Sequence, residues 1–277
     1  MTGDSRFLYG ANVHANGIRQ HYLRYGGKGQ PLVLIPGITS PAVTWGFVAE
    51  ALAARHDVYV LDVRGRGLSS AGPDLSYDLD SYAADGRGFI DALGLSDVVL
   101  TGHSMGARIA IRLARADSRA LARLVLVDPP VSGPGRRPYP ATLDWYTESI
   151  RLARSGMTAE DMKRFCPTWT EEQRALRAEW LPTCDELATR ISFEKFHTED
   201  IHQDLPFLDL PVTLMVATRG GVILPEDEAE ILGLNPSIQI THVAEAGHMI
   251  PWDNLSGFIE AVGGEAVEGE VVEGIAN

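Results

Sequence analysis

Asp97-Val-Val-Leu-Thr-Gly-His-Ser-Met-Gly-Ala-Arg-Ile-Ala-Ile-Arg-Leu-Ala-Arg-Ala116 is the stretch on which the fold turns. Its opening residues, Asp97 to Thr101, are apolar on both alternations, as a strand covered on two faces requires. From Met105 to Ala116 the apolar positions recur at helical spacing. Between strand and helix lies Gly102-His-Ser-Met-Gly106. A strand that turns into a helix at a serine makes a sharp elbow, and the residues two before and two after that serine must be small to avoid collision. Both are glycine. The G-x-S-x-G pattern alone is loose; the strand-turn-helix setting gives it weight. The elbow aims Ser104 at the carboxyl end of the sheet. It also puts the Met105 N–H beside Ser104 at a helix N-terminus, where it can stabilise an oxyanion.

Similar runs lie on either side: Pro31-Leu-Val-Leu-Ile35, Asp57-Val-Tyr-Val-Leu61, Arg123-Leu-Val-Leu-Val127, Pro211 to Ala217 and Ser237 to Val243. Helical patterns at Val43–Arg55, Tyr77–Leu93, Met105–Ala116 and Glu226–Leu232 separate them. Strands alternating with helices indicate α/β architecture with a mostly parallel, doubly wound sheet. Upstream, Asn16-Gly17 suits a tight turn and predicts a strand pair between Ala11 and Tyr25.

The alternation stops after Val127. Residues 132–208 hold no apolar strand run, open on the loop-like Ser132-Gly-Pro-Gly-Arg-Arg-Pro138, and carry Trp145, Tyr146, Phe165, Trp169, Trp180, Phe193 and Phe196. They read as a helical cap inserted into a core made of residues 1–131 and 209–277. Its aromatics serve either as the cap's own core or as the lining of a pocket beneath it. The tail from Gly263 on, with four Glu and no basic residue, reads as a solvated end.

Composition narrows the function. The 277 residues carry 24 Lys+Arg and 37 Asp+Glu, a formal charge of −13. That balance opposes general nucleic-acid binding, which needs a basic face to replace counterions. With 45% hydrophobic residues the chain is not of the disordered class. No run of eighteen apolar residues is present to cross a membrane, and Met1 to Gly10 shows no signal-peptide pattern. Two cysteines, Cys166 and Cys184, are too few and too far apart for a zinc ribbon. A cytoplasmic protein with reduced thiols is expected, and nothing in the chain specifies an oligomeric state.

A serine hydroxyl needs an adjacent base to act as a nucleophile. Of eight histidines, His248 lies in Ala246-Gly-His-Met-Ile-Pro-Trp252, just past the last predicted strand, where an elbow hydrolase keeps its base. His103 should point elsewhere on the turn, and His197 and His202 lie off the spacing of a helical metal pair. The usual acid position after the penultimate strand reads Ala217-Thr-Arg-Gly-Gly-Val-Ile-Leu-Pro225, without a carboxylate. Asp128, one strand earlier and ahead of Pro129-Pro130, is the expected partner of His248, with Asp227 as the fallback. The loop Pro36-Gly-Ile-Thr39 should give the second oxyanion donor, the Ile38 N–H. Asp62-Val-Arg-Gly-Arg-Gly-Leu-Ser-Ser70 reads as a structural turn, with Arg64 able to border the site.

These features match the α/β-hydrolase superfamily over nearly the whole chain. Six stretches together resemble the N-formylmaleamate deformylase family of bacterial nicotinate breakdown: Gly17 to Gly26, Pro36 to Pro41, Thr44-Trp-Gly-Phe47, Gly102 to Arg108, Asp128 to Arg137 and Ala246 to Asp253. Pro36-Gly37, where the wider superfamily commonly has His-Gly, fits that pattern too. The resemblance implies a family acid at Asp128, release of formate from N-formylmaleamate to leave maleamate, and no metal or other cofactor. It also implies a small anionic amide as substrate. Candidates for meeting its carboxylate are Arg108, Arg64, Arg136, Arg137 and Arg219, with Thr39 and Ser40 as hydrogen-bonding neighbours. An esterase or a C–C bond hydrolase acting on another small carboxylate is the nearest rival. A receptor on a retired hydrolase scaffold is a more distant one, since such a protein has no use for Ser104, Asp128 and His248 together.

Overall fold

The computed structural model describes residues 5–263, so the acidic tail beyond Gly263 lies outside the described residues. Its strands are β1 (Phe7–Ala15), β2 (Ile18–Tyr25), β3 (Gln30–Ile35), β4 (His56–Leu61), β5 (Val98–His103), β6 (Leu121–Val127), β7 (Val212–Ala217) and β8 (Gln239–Val243). They form one sheet in the order β1-β2-β4-β3-β5-β6-β7-β8. Pairing is parallel from β4 across to β8, and β2 runs antiparallel to both β1 and β4. Asn16 and Gly17 join β1 to β2 with φ of 48° and 74°, the two positive values of a type I′ hairpin turn.

The two-sided apolar strands bury both faces. Val33 and Ile35 of β3 point into one core and Leu32 and Leu34 into the other, all at most 1% exposed. Helices α2 (Leu79–Ala92) and α3 (Met105–Ala116) cover the first face, and α1 (Gly46–Leu52) covers the second. The helix expected over Val43–Arg55 is divided: a 3-10 turn at Ala42–Trp45 precedes α1. Between β6 and β7 lie α4 (Leu143–Arg154), α5 (Ala159–Met162), α6 (Glu171–Trp180) and α7 (Glu186–Thr198). The first three share a separate apolar cluster that includes Ile150, Met162, Phe165, Trp169, Ala178 and Leu181, while Ala188 and Phe196 of α7 join the first core. Farther on, α8 (Pro225–Leu234) packs on the first face, while α9 (Ile250–Asp253) and α10 (Leu255–Ala261) pack on the second.

Chain order reverses direction at β3: its successor β4 lies on one side and β5 on the other. The loops leaving β3 and β5 therefore open a crevice at the carboxyl edge of the sheet, the place where open α/β sheets hold ligands. Register completes the placement. Ile35 pairs with Gly102, His103 with Val127, and Val127 with Met215, so the loops after β3, β5 and β6 begin side by side.

Beneath the first face, Asp85 of α2 accepts two hydrogen bonds from Arg64, at 2.5 and 2.6 Å, and a third from Asn16 at 2.7 Å. Both charged side chains are buried. Asp85→Ala would leave the Arg64 cation buried and unpaired, and should lower unfolding free energy by about 3–5 kcal/mol, read as a lower urea midpoint. The apolar double variant Arg64→Met, Asp85→Leu should recover most of that loss.

Candidate active site

The elbow is as tight as its glycines suggest. Ser104 has φ 55° and ψ −117°, a region that a side-chain-bearing residue enters only under constraint. A Cβ on Gly102 would lie 2.2 Å from the Gly106 carbonyl oxygen, and one on Gly106 would lie 1.9 Å from that of Ile35. The Ser104 N–H donates to Val127 O at 2.8 Å, tying the elbow to β6. Met105 is the first residue of α3, so its N–H has no partner inside the helix. Ile38, in the loop after β3, lines the same cavity as Ser104.

The expected partners come together. Ser104 Oγ is 3.0 Å from His248 Nε2, and His248 Nδ1 is 2.6 Å from Asp128 Oδ2. Since the carboxylate accepts, Nδ1 carries the ring proton and Nε2 presents its lone pair to the serine. Asp128 also has a positive φ, 47°, which turns its side chain across the end of β7 toward the Ala217 N–H at 3.4 Å. The fallback acid, Asp227, lies in the first turn of α8, where it accepts from the Leu224 N–H and from Arg137. Its partners are those of a helix cap.

His103 does leave the turn in another direction, yet it bears on the site. Its Nε2–H donates to the His248 carbonyl oxygen at 2.9 Å, and the two rings lie 5.0 Å apart. Its Nδ1 is buried without a partner. Burial first, and the neighbouring His248 second, push its pKa down to about 3. His103 is therefore a neutral prop for the loop that carries His248.

Above these groups lies a cavity of about 640 Å³ between the sheet edge and the helices that follow β6. Trp145, Tyr146, Phe165 and Trp169 line it, whereas Trp180, Phe193 and Phe196 do not. Phe196 instead belongs to the first core with Phe193 packed against it, and Trp180 is half-buried. Two lining residues stand out that sequence reasoning missed. Tyr139 Oη is 3.1 Å from His248 Nε2 and accepts from Tyr146 Oη at 3.4 Å. Burial pushes the Tyr139 pKa well above its ordinary value, so it holds its proton beside the reacting atoms. Arg177 of α6 is 4% exposed and donates to Thr39 O and Thr39 Oγ1, each at 3.1 Å. No pattern marks Tyr139 behind its Gly-Pro-rich loop, and Arg177 sits in a charged helical run that reads as solvent-facing.

Thr39 and Ser40 line the cavity as expected, but the arginine candidates mostly do not. Arg108 is buried away from it, donating to the carbonyls of Pro130, Ser132 and Glu199, and so serves as a brace between loops. Arg64 is committed to Asp85 and lines no part of the cavity. Arg136 pairs with Glu230 and Arg137 with Asp227, both outside the lining. Arg219 is on the cavity wall, but its side chain is 63% exposed and paired with Glu245. Among the described residues no three His, Cys, Asp or Glu side chains are grouped to hold a metal, nor is any helix long and apolar enough to cross a membrane.

Comparison with known proteins bears on the fold and the family. The sequence pattern of the α/β-hydrolase fold family matches residues 30–255. The chain is 63% identical over 259 residues to N-formylmaleamate deformylase of Pseudomonas putida, an alignment covering 94% of this chain and 97% of that protein. It is similar to the crystal structure of a serine-to-alanine variant of N-formylmaleamic acid deformylase from Pseudomonas putida. That likeness has a TM-score of 0.89 and 61% identity, covering 92% of this chain and all of the other. With E-2-(acetamidomethylene)succinate hydrolase it shares the fold, at TM-score 0.76 and 19% identity over 92% of this chain and 97% of that one.

The buried His103 has a consequence for acid stability. Unfolded, its imidazole titrates near 6.5; folded, near 3. Between those values the unfolded chain binds a proton that the folded chain refuses, so this stabilisation is complete above 6.5 and is lost as pH falls. At roughly 1.4 kcal/mol per pH unit, His103 accounts for about 2 kcal/mol of the loss between pH 7 and pH 5. In His103→Gln, urea unfolding should show a loss smaller by that amount; an equal loss in both proteins would mean that His103 protonates in the folded state.

Proposed function

The chain belongs to the α/β-hydrolase fold family, and from that premise we propose that it hydrolyses the formyl amide of N-formylmaleamate, giving formate and maleamate, through Ser104, His248 and Asp128. The reading is carried by the unbroken hydrogen-bond chain from Ser104 to Asp128, in a chain 63% identical to a protein named for that reaction. In this reading residues 132–208 are a cap over a core of residues 1–131 and 209–277. The enzyme works in the cytoplasm, in nicotinate degradation, without a metal.

Ser104 Oγ attacks the formyl carbon while its proton passes to His248 Nε2. Asp128 holds the Nδ1–H tautomer and stabilises the imidazolium that forms. The N–H groups of Ile38 and Met105 take the oxyanion, a stabilisation that grows as charge develops. Collapse breaks the C–N bond, and the Nε2–H protonates the departing nitrogen. That nitrogen bears a second carbonyl, so the electron pair it receives is shared with an oxygen, and it leaves more readily than an ordinary amine. Tyr139, protonated and close to Nε2, donates to the leaving amide. Water, deprotonated by His248, then attacks formyl-Ser104 and releases formate.

Purified protein should release formate from N-formylmaleamate at an undiminished rate with a chelator present. Ser104→Ala should lower kcat by at least about 10⁴-fold, and Asp128→Asn by about 10⁴-fold. Hydrolysis of an activated ester without formate release would leave the serine mechanism standing and overturn the substrate. Tyr139→Phe should lower kcat by about 10–100-fold with little change in KM, as expected for one donor acting on the leaving group.

A further inference from the structure

A guanidinium has five N–H donors in a fixed fork and no means of shedding its charge. Arg177 directs two hydrogen bonds at Thr39, and its Nε is buried without a partner. Its guanidinium carbon lies 5.6 Å from the centre of the Trp169 ring, which is stacked in turn on Trp252. Among the described residues no carboxylate lies within ion-pair distance of it, although Arg177 is 4% exposed. An uncompensated buried cation is costly, and a protein that keeps one in a ligand cavity has reserved it for a charge that arrives from outside.

The rest of the cavity supports this. Asp253, a carboxylate of the wall, is occupied by the Gly247 N–H at 2.8 Å and Thr168 Oγ1 at 3.2 Å. Arg219, also on the wall, is exposed and has Glu245. We infer that Arg177 is the anion anchor of this cavity: it receives the carboxylate at the far end of the substrate from Ser104. Thr39 Oγ1 accepts from Arg177, so its own O–H is free to donate to the same carboxylate. The loop fixed in this way is the one that carries Ile38. The residue that the anchor holds, Thr39, directly follows the oxyanion donor Ile38, with the anchor delivered from α6 and the nucleophile from the end of β5. A planar fork matched to a carboxylate favours acidic amides over neutral ones of the same shape.

The inference rests on the deformylase reading for the reacting end of the substrate, and two assays separate them. The first measures formate release from N-formylmaleamate and from its methyl ester at the distal carboxyl group. Arg177→Gln should raise KM for the anionic substrate, relative to KM for the neutral ester, about 10–100-fold, and lower kcat for the two substrates to the same small extent. Arg177→Lys should recover part of the difference. The second measures competitive inhibition by maleate of p-nitrophenyl acetate hydrolysis, with no deformylation involved; Arg177→Gln should raise the inhibition constant at least about tenfold.

Labelling of Ser104 by an uncharged fluorophosphonate, at wild-type rate in Arg177→Gln, shows that the loop has kept its shape. If labelling falls, the charge-conserving Arg177→Lys decides, and must keep both labelling and most of the maleate affinity. Absent formate release with Arg177-dependent maleate inhibition would end the deformylase reading and leave the anchor. Wild-type protein indifferent to maleate, or a KM and inhibition constant unchanged in Arg177→Gln, would overturn the anchor.

Discussion

Between the end of β3 and the start of α3 there is no room for a methyl group. Gly106 lies so close to the Ile35 carbonyl that any side chain there would push the helix off the sheet. Everything in the site follows from that approach. It brings α3 down against the end of β3 and the loop that follows, and at the head of that helix Ser104 takes a positive φ. The strain at Ser104 is held by the hydrogen bond from its N–H to Val127 and by α3 continuing from it. Parallel pairing of β5 with β6 then sets Asp128 next to the elbow.

The loop after β3 is braced from two sides by arginines that lack carboxylate partners among the described residues. Arg66, with no exposed surface, donates to Ile38 O at 2.8 Å and to Tyr82 Oη and Ser192 Oγ. Arg177 holds the next residue, Thr39, from α6. Such braces suit a loop that has no ladder hydrogen bonds of its own, because a guanidinium satisfies several carbonyls at once and fixes their planes. They also join that loop to the helices inserted after β6, since Ser192 is on α7 and Arg177 on α6.

What was legible in the sequence is what the backbone demands locally. Gly102 and Gly106 are required by steric contact, Asn16-Gly17 by a turn with two positive φ values, and two-sided apolar strands by coverage on both faces. Each constraint selects residue types at fixed spacing, so the elbow and the sheet could be read directly. Asp128 was legible by position, because a strand end beside the elbow held a carboxylate and the next strand end held none. The arginines were another matter. Arg108, four residues after Ser104, is on the right helix but faces the carbonyls of Pro130, Ser132 and Glu199. Arg177 lies in Glu171-Glu-Gln-Arg-Ala-Leu-Arg177, whose charge spacing is that of any solvated helix. Only the packing of α6 over Thr39 makes it a cavity residue, and no local constraint announces such a contact.

Tyr139 shows why the missed residues belong with the chemistry. Neutral His248 offers one lone pair at Nε2, and two hydroxyls lie within reach of it, Ser104 at 3.0 Å and Tyr139 at 3.1 Å. Both cannot donate to it at once. The base is therefore shared between two hydroxyls, and Ser104 is only partly committed to it. A substrate whose leaving amide accepts from Tyr139 removes that competitor and gives Nε2 wholly to the serine. Arg177, as inferred, holds the far end of the same substrate and so acts on its binding. Activation then depends on an acyl amide that reaches Tyr139, and a small ester that does not touch it leaves the base divided. Discrimination among substrates of equal intrinsic reactivity would in that case show in kcat as well as in KM.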